Sequence, residues 1–122
     1  MAVSLKTYTS LWAMQPHDQT GDILSYDAVC AKVAEAGYDG MAIDLGAGDV
    51  AQAREVAPIM AKYGLTPLIV AFPKTIASLE DTLIMAKDFG APFVDVIGQV
   101  MPLSVDGMIP VIRTWMDMAD RI

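Results

Sequence analysis

Gly37, Gly64 and Gly90 stand 27 and 26 residues apart, and each closes a helical pattern and opens an apolar one. The contexts are Glu35-Ala36-Gly37-Tyr38, Lys62-Tyr63-Gly64-Leu65 and Asp88-Phe89-Gly90-Ala91. Glycine just past a helix end takes the left-handed conformation that stops the helix at little cost. A period of this size holds one helix and one strand, so the chain reads as repeated βα units. Four such units fit the 122 residues.

The strands are expected near 4–12, 41–45, 66–72 and 93–97. The first, Ser4 to Trp12, is rich in Thr, Tyr and Trp. The next three, Met41-Ala42-Ile43-Asp44-Leu45, Thr66 to Phe72 and Phe93-Val94-Asp95-Val96-Ile97, are near-continuous apolar runs. Such runs mark strands buried on both faces of a parallel sheet with right-handed crossovers. The alternation places Met41, Ile43, Leu45, Val94 and Val96 toward the helices. Ala42, Asp44, Gly46, Phe93, Asp95, Ile97 and Gln99 then fall on the opposite, interior face.

Helix one should begin at an N-cap near Ser25 and bury Tyr26, Val29, Cys30 and Val33. Helix two, Val50 to about Tyr63, should bury Ala53, Val56, Ala57 and Met60 and be kinked or split by Pro58. Helix three should start at Ser78-Leu79-Glu80-Asp81, close to a capping box, and pack through Leu79, Leu83, Ala86 and Phe89. Helix four should follow Asp106, with Met108, Ile109, Ile112, Trp115, Met116, Ala119 and Ile122 inward and Pro110 in its first turn. Ala13 to Leu24, with its Pro and Gly, reads as a loop.

Composition excludes several partners. A net charge of −7 argues against binding a nucleic-acid backbone, which needs clustered Lys and Arg. No apolar run approaches the ~18 residues of a membrane span, and the first fourteen residues lack the apolar stretch of a signal peptide. The lone Cys30 has no internal disulfide partner. The expectation is a cytoplasmic protein in one domain, 1–122. Hydrophobic residues make up 54% of the chain and the mean hydropathy is +0.41, which leaves apolar surface for a partner.

Ligands of parallel α/β folds gather beyond the carboxyl ends of the strands. Those ends offer Ser10 and Trp12, Asp44 and Gly46, Phe72 and Lys74, and Gln99. Trp12 reads as a wall that stacks on a substrate or as rim packing. Asp44 and Asp95 polarise a substrate hydroxyl or hold neighbouring strands by hydrogen bonds. Lys74 holds an anion or is solvated, and His17 on the first loop is an acid–base candidate or an exposed histidine. Glu35, Glu55 and Glu80 belong to helices, so no pair of mouth-facing glutamates exists and no second His completes a metal site. Gly46-Ala47-Gly48-Asp49-Val50-Ala51 also matches the G-x-G-x-x-A dinucleotide fingerprint, which gives an alternative reading as an NAD(P)-binding α/β domain. Against it, Asp49 would place negative charge beside the phosphate.

Thr9-Ser10-Leu11-Trp12, Ala36-Gly37-Tyr38-Asp39-Gly40-Met41-Ala42-Ile43 and Phe93-Val94-Asp95-Val96-Ile97-Gly98 together resemble the xylose-isomerase-like TIM barrels. These are the sugar-phosphate isomerase/epimerase and endonuclease IV superfamily. The likeness spans the chain but only the first half of such a barrel. It implies a parallel (βα)4 half barrel, strand order 1-2-3-4, helices on the outer face, contributing a pocket wall at Trp12 and polar contacts at Asp44 and Gln99. The divalent metal and proton-moving bases of that family would belong to a second half, so no metal or catalytic residue is expected in this chain. Asp44 stands where Glu is frequent, and Gln99 near where His is frequent. A homodimer, or association with a second half barrel, is expected to complete a carbohydrate site. The competing expectation is a non-catalytic binding half barrel.

Overall fold

The computed structural model describes residues 2–14 and 23–122. Its elements, in chain order, are β1 Tyr8–Ser10, a 3-10 turn at Trp12–Met14, α1 Tyr26–Glu35, β2 Gly40–Asp44, α2 Val50–Lys62 and β3 Thr66–Ala71. A 3-10 turn at Ala77–Leu79, α3 Glu80–Asp88, β4 Val94–Val96 and α4 Val105–Arg121 follow. All three strand pairings are parallel, and the order is β1-β2-β3-β4.

The three periodic glycines do what their spacing implies. Gly37, Gly64 and Gly90 have φ of 87°, 69° and 72°, each one residue past a helix cap. A left-handed residue there lets the chain reverse into the next strand within two to four residues. Caps start the helices: Ser25 Oγ accepts from the Ala28 amide at 3.2 Å and Asp49 Oδ1 from the Gln52 amide at 2.8 Å.

The core lies between the sheet and its helices. Met41 and Ile43 of β2 and Ile69 of β3 are fully covered by Val29, Cys30 and Val33 of α1 and by Ala53, Val56 and Met60 of α2. Burying each large aliphatic side chain contributes roughly 1.5–3 kcal/mol. A second cluster, Ala71, Leu79, Val111, Trp115 and Met118, docks α4 against the far end of the sheet. The expected faces of β2 and β4 are as the alternation places them. Val94 and Val96 lie with the helices, whereas Phe93, Asp95 and Ile97 are exposed on the other face.

The structure corrects several sequence expectations. β1 is three residues long rather than nine, because only Tyr8–Ser10 have ladder partners on β2. Trp12 therefore sits in the turn after it. β3 stops at Ala71, leaving Phe72 just beyond, and β4 covers only Val94–Val96. Pro58 neither splits nor ends α2. It lies on the exposed side of the helix, away from the core. The capping box lies three residues earlier than expected, at Thr75 and Ser78, and a 3-10 turn at Ala77–Leu79 leads into α3 at Glu80. The Ser78 amide donates to Thr75 Oγ1 at 3.2 Å and the Thr75 amide to Ser78 Oγ at 3.3 Å. Met85 is buried on α3 while Leu83 and Phe89 are only partly covered.

α4 differs most. Ser104 Oγ caps it by accepting from the Gly107 amide at 3.1 Å, so Pro110 is in the second turn, on the exposed side. Its buried residues are Val111, Trp115 and Met118, not the full stripe expected from the sequence. Ile109, Ile112, Met116 and Ala119 are exposed, with Met116 at 62%. The cause is the Trp115 indole, which reaches back to the loop after β3 and fixes the helix's rotation. Among the described residues, no helix is long and apolar enough to cross a membrane.

Candidate functional site at the carboxyl rim

The register arranges the open face in layers. Ser10 stands beside Ala42, Ala42 beside Leu68, and, one step along the Ile69–Val94 pairing, Leu68 beside Phe93. The next layer toward the carboxyl ends is Asp44, Val70 and Asp95. Asp44 and Asp95 thus share a layer with one strand between them, about 10 Å apart at strand spacing. Above them come Gly46, Phe72 and Ile97, and then the rim residues Lys74 and Gln99.

Asp44 has a defined structural task. Its Oδ1 accepts from the amides of Gly46 at 2.7 Å and Ala47 at 2.8 Å, while the Gly48 amide donates to its main-chain carbonyl at 2.8 Å. This Asx turn folds the β2–α2 loop and holds one carboxylate oxygen toward the backbone. It also engages the three loop amides that a dinucleotide fingerprint would turn toward a pyrophosphate. Gln52 fills the space over Gly48, and the carboxylate of Asp49 occupies the helix start.

Phe72 lies against Gly46. A Cβ at Gly46 would be 2.8 Å from its ring and 3.1 Å from Asp44 Oδ1, so glycine lets ring, loop and carboxylate come together. The Gln99 amide donates to the Pro73 carbonyl at 2.9 Å, which sets Gln99 beside the Pro73-Lys74 segment. Lys74 is exposed, and Trp12 is 51% exposed at the β1 end of the rim. The structure therefore joins Asp44, Phe72, Lys74 and Gln99 along one rim, with Trp12 at its end. His17 lies outside the described residues. Among those described, no group of three or more His, Cys, Asp or Glu is placed to hold a metal ion.

Sequence reasoning missed two features. The Asx turn was signalled by Asp44-Leu45-Gly46, an acid two residues before glycine at a strand end. The contact of Phe72 with Gly46 was not, because it depends on the register of two strands. The Asp39 of the Ala-Gly-Tyr-Asp-Gly stretch sits at the opposite, amino end of the sheet. Its carboxylate accepts from the Thr7 amide at 2.8 Å and pairs with Lys6 Nζ at 3.1 Å. These bonds hold its pKa below the ordinary carboxylate range, the Thr7 amide being the larger cause and Lys6 the next. That stretch is therefore a device for entering β2, remote from the rim.

No protein-family model and no curated protein sequence matches the chain. Solved structures do. The 3-dehydroquinate dehydratase of Geobacillus kaustophilus HTA426 superposes with a TM-score of 0.60 at 13% identity, covering 96% of this chain and 47% of that one. The N-acetylneuraminate lyase of Proteus mirabilis superposes with a TM-score of 0.61 at 20% identity, covering 95% and 43%. The chain thus spans less than half the length of either enzyme. At such identities the likeness shows the fold alone. These TIM-barrel neighbours are a dehydratase and a lyase, so the xylose-isomerase-like family is not singled out among the TIM barrels. The described residues fold as a four-stranded parallel half of a TIM barrel, with strand order 1-2-3-4.

Proposed function

We propose that this chain supplies the first half of a TIM-barrel site for a small polyhydroxylated substrate, a sugar or sugar phosphate, of an isomerase or epimerase. The supporting observation is the composition of the rim: an exposed indole, a carboxylate fixed by its own loop, an exposed lysine and a carboxamide, all beyond the carboxyl ends of parallel strands. An indole face stacks on the C–H side of a sugar ring. Asp44 and Gln99 accept from and donate to hydroxyls, and Lys74 offers a point charge to a phosphate.

The donor set of the rim does not fit a divalent cation. Asp44 and Asp95 are separated by the strand of Val70, and Asp44 is already committed to its turn. The groups of this half bind and orient, and the base that moves a proton beside a carbonyl belongs to the second half.

The experiment is a fluorescence titration with aldoses, ketoses and their phosphates. The chain's two tryptophans divide the work, since Trp12 is half exposed and Trp115 is buried. A saturable change that disappears in Trp12→Phe supports the reading. No change with any sugar, or one that survives Trp12→Phe, contradicts it. Interconversion of an aldose and its ketose once a second half is supplied would establish the isomerase class.

A further inference from the structure

A large concavity lies away from the rim. It is a groove of about 820 Å³ beside the free edge of β4, lined by Leu83, Pro92, Val94, Ile112, Met116 and Ala119. The exposed stripe of α4 forms one wall of it. Phe93, 56% exposed, stands at its border. At the other end of the sheet, β1 also has a free edge, and the residues leading into it carry Val3 and Leu5, 83% and 82% exposed.

We infer that the groove is filled by a second copy of this chain, whose Leu5 and Val3 enter it as its β1 pairs with β4. The inference names the partner that completes the proposed rim site, and it rests on that half-barrel reading. An eight-stranded barrel of this class has a shear of 8, so a half circuit shifts the register by about four residues. The ladder Ser10, Ala42, Leu68, Phe93 then continues to Lys6 of the second copy. Val94 meets Thr7, Asp95 meets Tyr8, and Ile97 meets Ser10. The opposite shift would set Tyr8–Ser10 against 87–89 at the end of α3, where no strand exists.

Three independent features agree with this register. First, the short strands overlap, because Val94–Val96 of β4 lie opposite residues 7–9 and β1 is Tyr8–Ser10. Second, the backbone groups match. Ile97 donates to Ala71 of β3 and Gln99 to Pro73 just beyond it, so by parallel alternation the N–H and C=O of Val94 and Val96 point to the free edge. Leu11 donates to β2, so those of Tyr8 and Ser10 point to the other edge. Tyr8 of the second copy then donates to the Val94 carbonyl and accepts from the Val96 amide. Third, the faces match: Leu5 falls on the side of Pro92, which lines the groove, and Val3 follows it on the same face, while Lys6 and Tyr8 face the barrel interior. A two-fold axis along the barrel makes the contact twice and leaves no free edge.

The test is the mass of the 122-residue protein by light scattering across a dilution series, with two variants. The expected wild-type mass is twice the 13.1 kDa of one chain. Leu5→Asp changes an exposed residue of the single chain, so it should keep the helical circular dichroism and halve the mass. In a Cys30→Ala background, Leu5→Cys with Pro92→Cys should form an inter-chain disulfide under mild oxidation, since neighbouring strands bring these Cα atoms within about 5 Å. A wild-type monomer at every concentration overturns the inference. So does a dimer that ignores Leu5→Asp and yields no cross-link. These outcomes are read without any sugar, so they separate from failure of the carbohydrate reading, which shows only in the titration.

Discussion

The indole Nε1 of Trp115 donates to the main-chain carbonyl of Ile76 at 3.0 Å, across 39 residues of sequence. The ring edge also packs on Gly98, where an added Cβ would come within 3.0 Å of it. One side chain thus ties α4 both to the loop after β3 and to the end of β4. Trp115→Phe keeps most of the packing and leaves a carbonyl without its donor. It should cost about 1–2 kcal/mol, and Trp115→Ala about 3–5 kcal/mol. Urea unfolding of the three proteins checks the order.

Glycines of this chain divide into two kinds, and substitution should separate them. Gly40 sits where the β1 and β3 neighbours close in. A Cβ there would meet the Thr66 carbonyl oxygen at 2.0 Å and the Tyr8 ring at 2.6 Å. Gly37 has open space around it and a φ of +87°. Gly37→Ala should cost only the left-handed backbone penalty, about 1–2 kcal/mol. Gly40→Ala must displace a strand, and should lose more than twice as much or fail to fold. Thermal denaturation of the pair decides.

Acid stability should depend on Asp39 and Asp27. Both carboxylates sit below their ordinary range, Asp39 chiefly through the Thr7 amide and Asp27 chiefly through Lys62, whose Nζ is 2.6 Å away. A depressed carboxylate stabilises the fold above its unfolded pKa, and that stability disappears as pH falls through the folded value. Melting temperature should therefore drop as pH falls below about 4. The drop should be shallower in Asp39→Asn and Asp27→Asn, which start lower at neutral pH. Equal acid limbs in all three proteins would contradict the assignment.

Cys30 is fully buried in the core, and burial raises its thiol pKa, with the charge of Asp27 adding to the effect. A buried, protonated thiol is inert. The native protein should not react with an aromatic disulfide reagent at neutral pH. Labelling should follow global unfolding, measured as a rate against urea concentration.

Asp44 separates structure from recognition at the rim. Asp44→Asn keeps one oxygen for the amides of Gly46 and Ala47, so stability should fall by less than about 1 kcal/mol. Asp44→Ala removes both bonds and should cost about 1–2 kcal/mol. If Asp44 also contacts a sugar hydroxyl, Asp44→Asn should weaken binding well beyond its effect on stability. The two measurements are denaturation and the fluorescence titration.

Much of the architecture was legible in the sequence because it is local or periodic. Gly37, Gly64 and Gly90 announce helix ends by their conformation alone. Ala53, Val56, Ala57 and Met60 announce the buried face of α2 by spacing alone, and all four are buried. Features set at a distance were not legible. The rotation of α4 depends on where Trp115 finds Ile76, and periodicity cannot distinguish a stripe on the core from one beside an open edge. That is why Ile112 and Met116 looked like core and are exposed. The length of β1 failed similarly, since Ser4 to Lys6 have strand-like composition but no ladder partner on β2. At the rim, Asp44, Phe72, Lys74 and Gln99 follow from strand ends that sequence can place, while the contact of Phe72 with Gly46 needs the register.

The most direct check of the half-barrel site is a map of amide chemical shifts on titration with a sugar phosphate. Shifts are expected at 10–12, 44–48, 72–75 and 97–99, the carboxyl rim, and none at Asp39 or Thr7 at the opposite end. Shifts confined to the amino end, or none at any concentration, would contradict it.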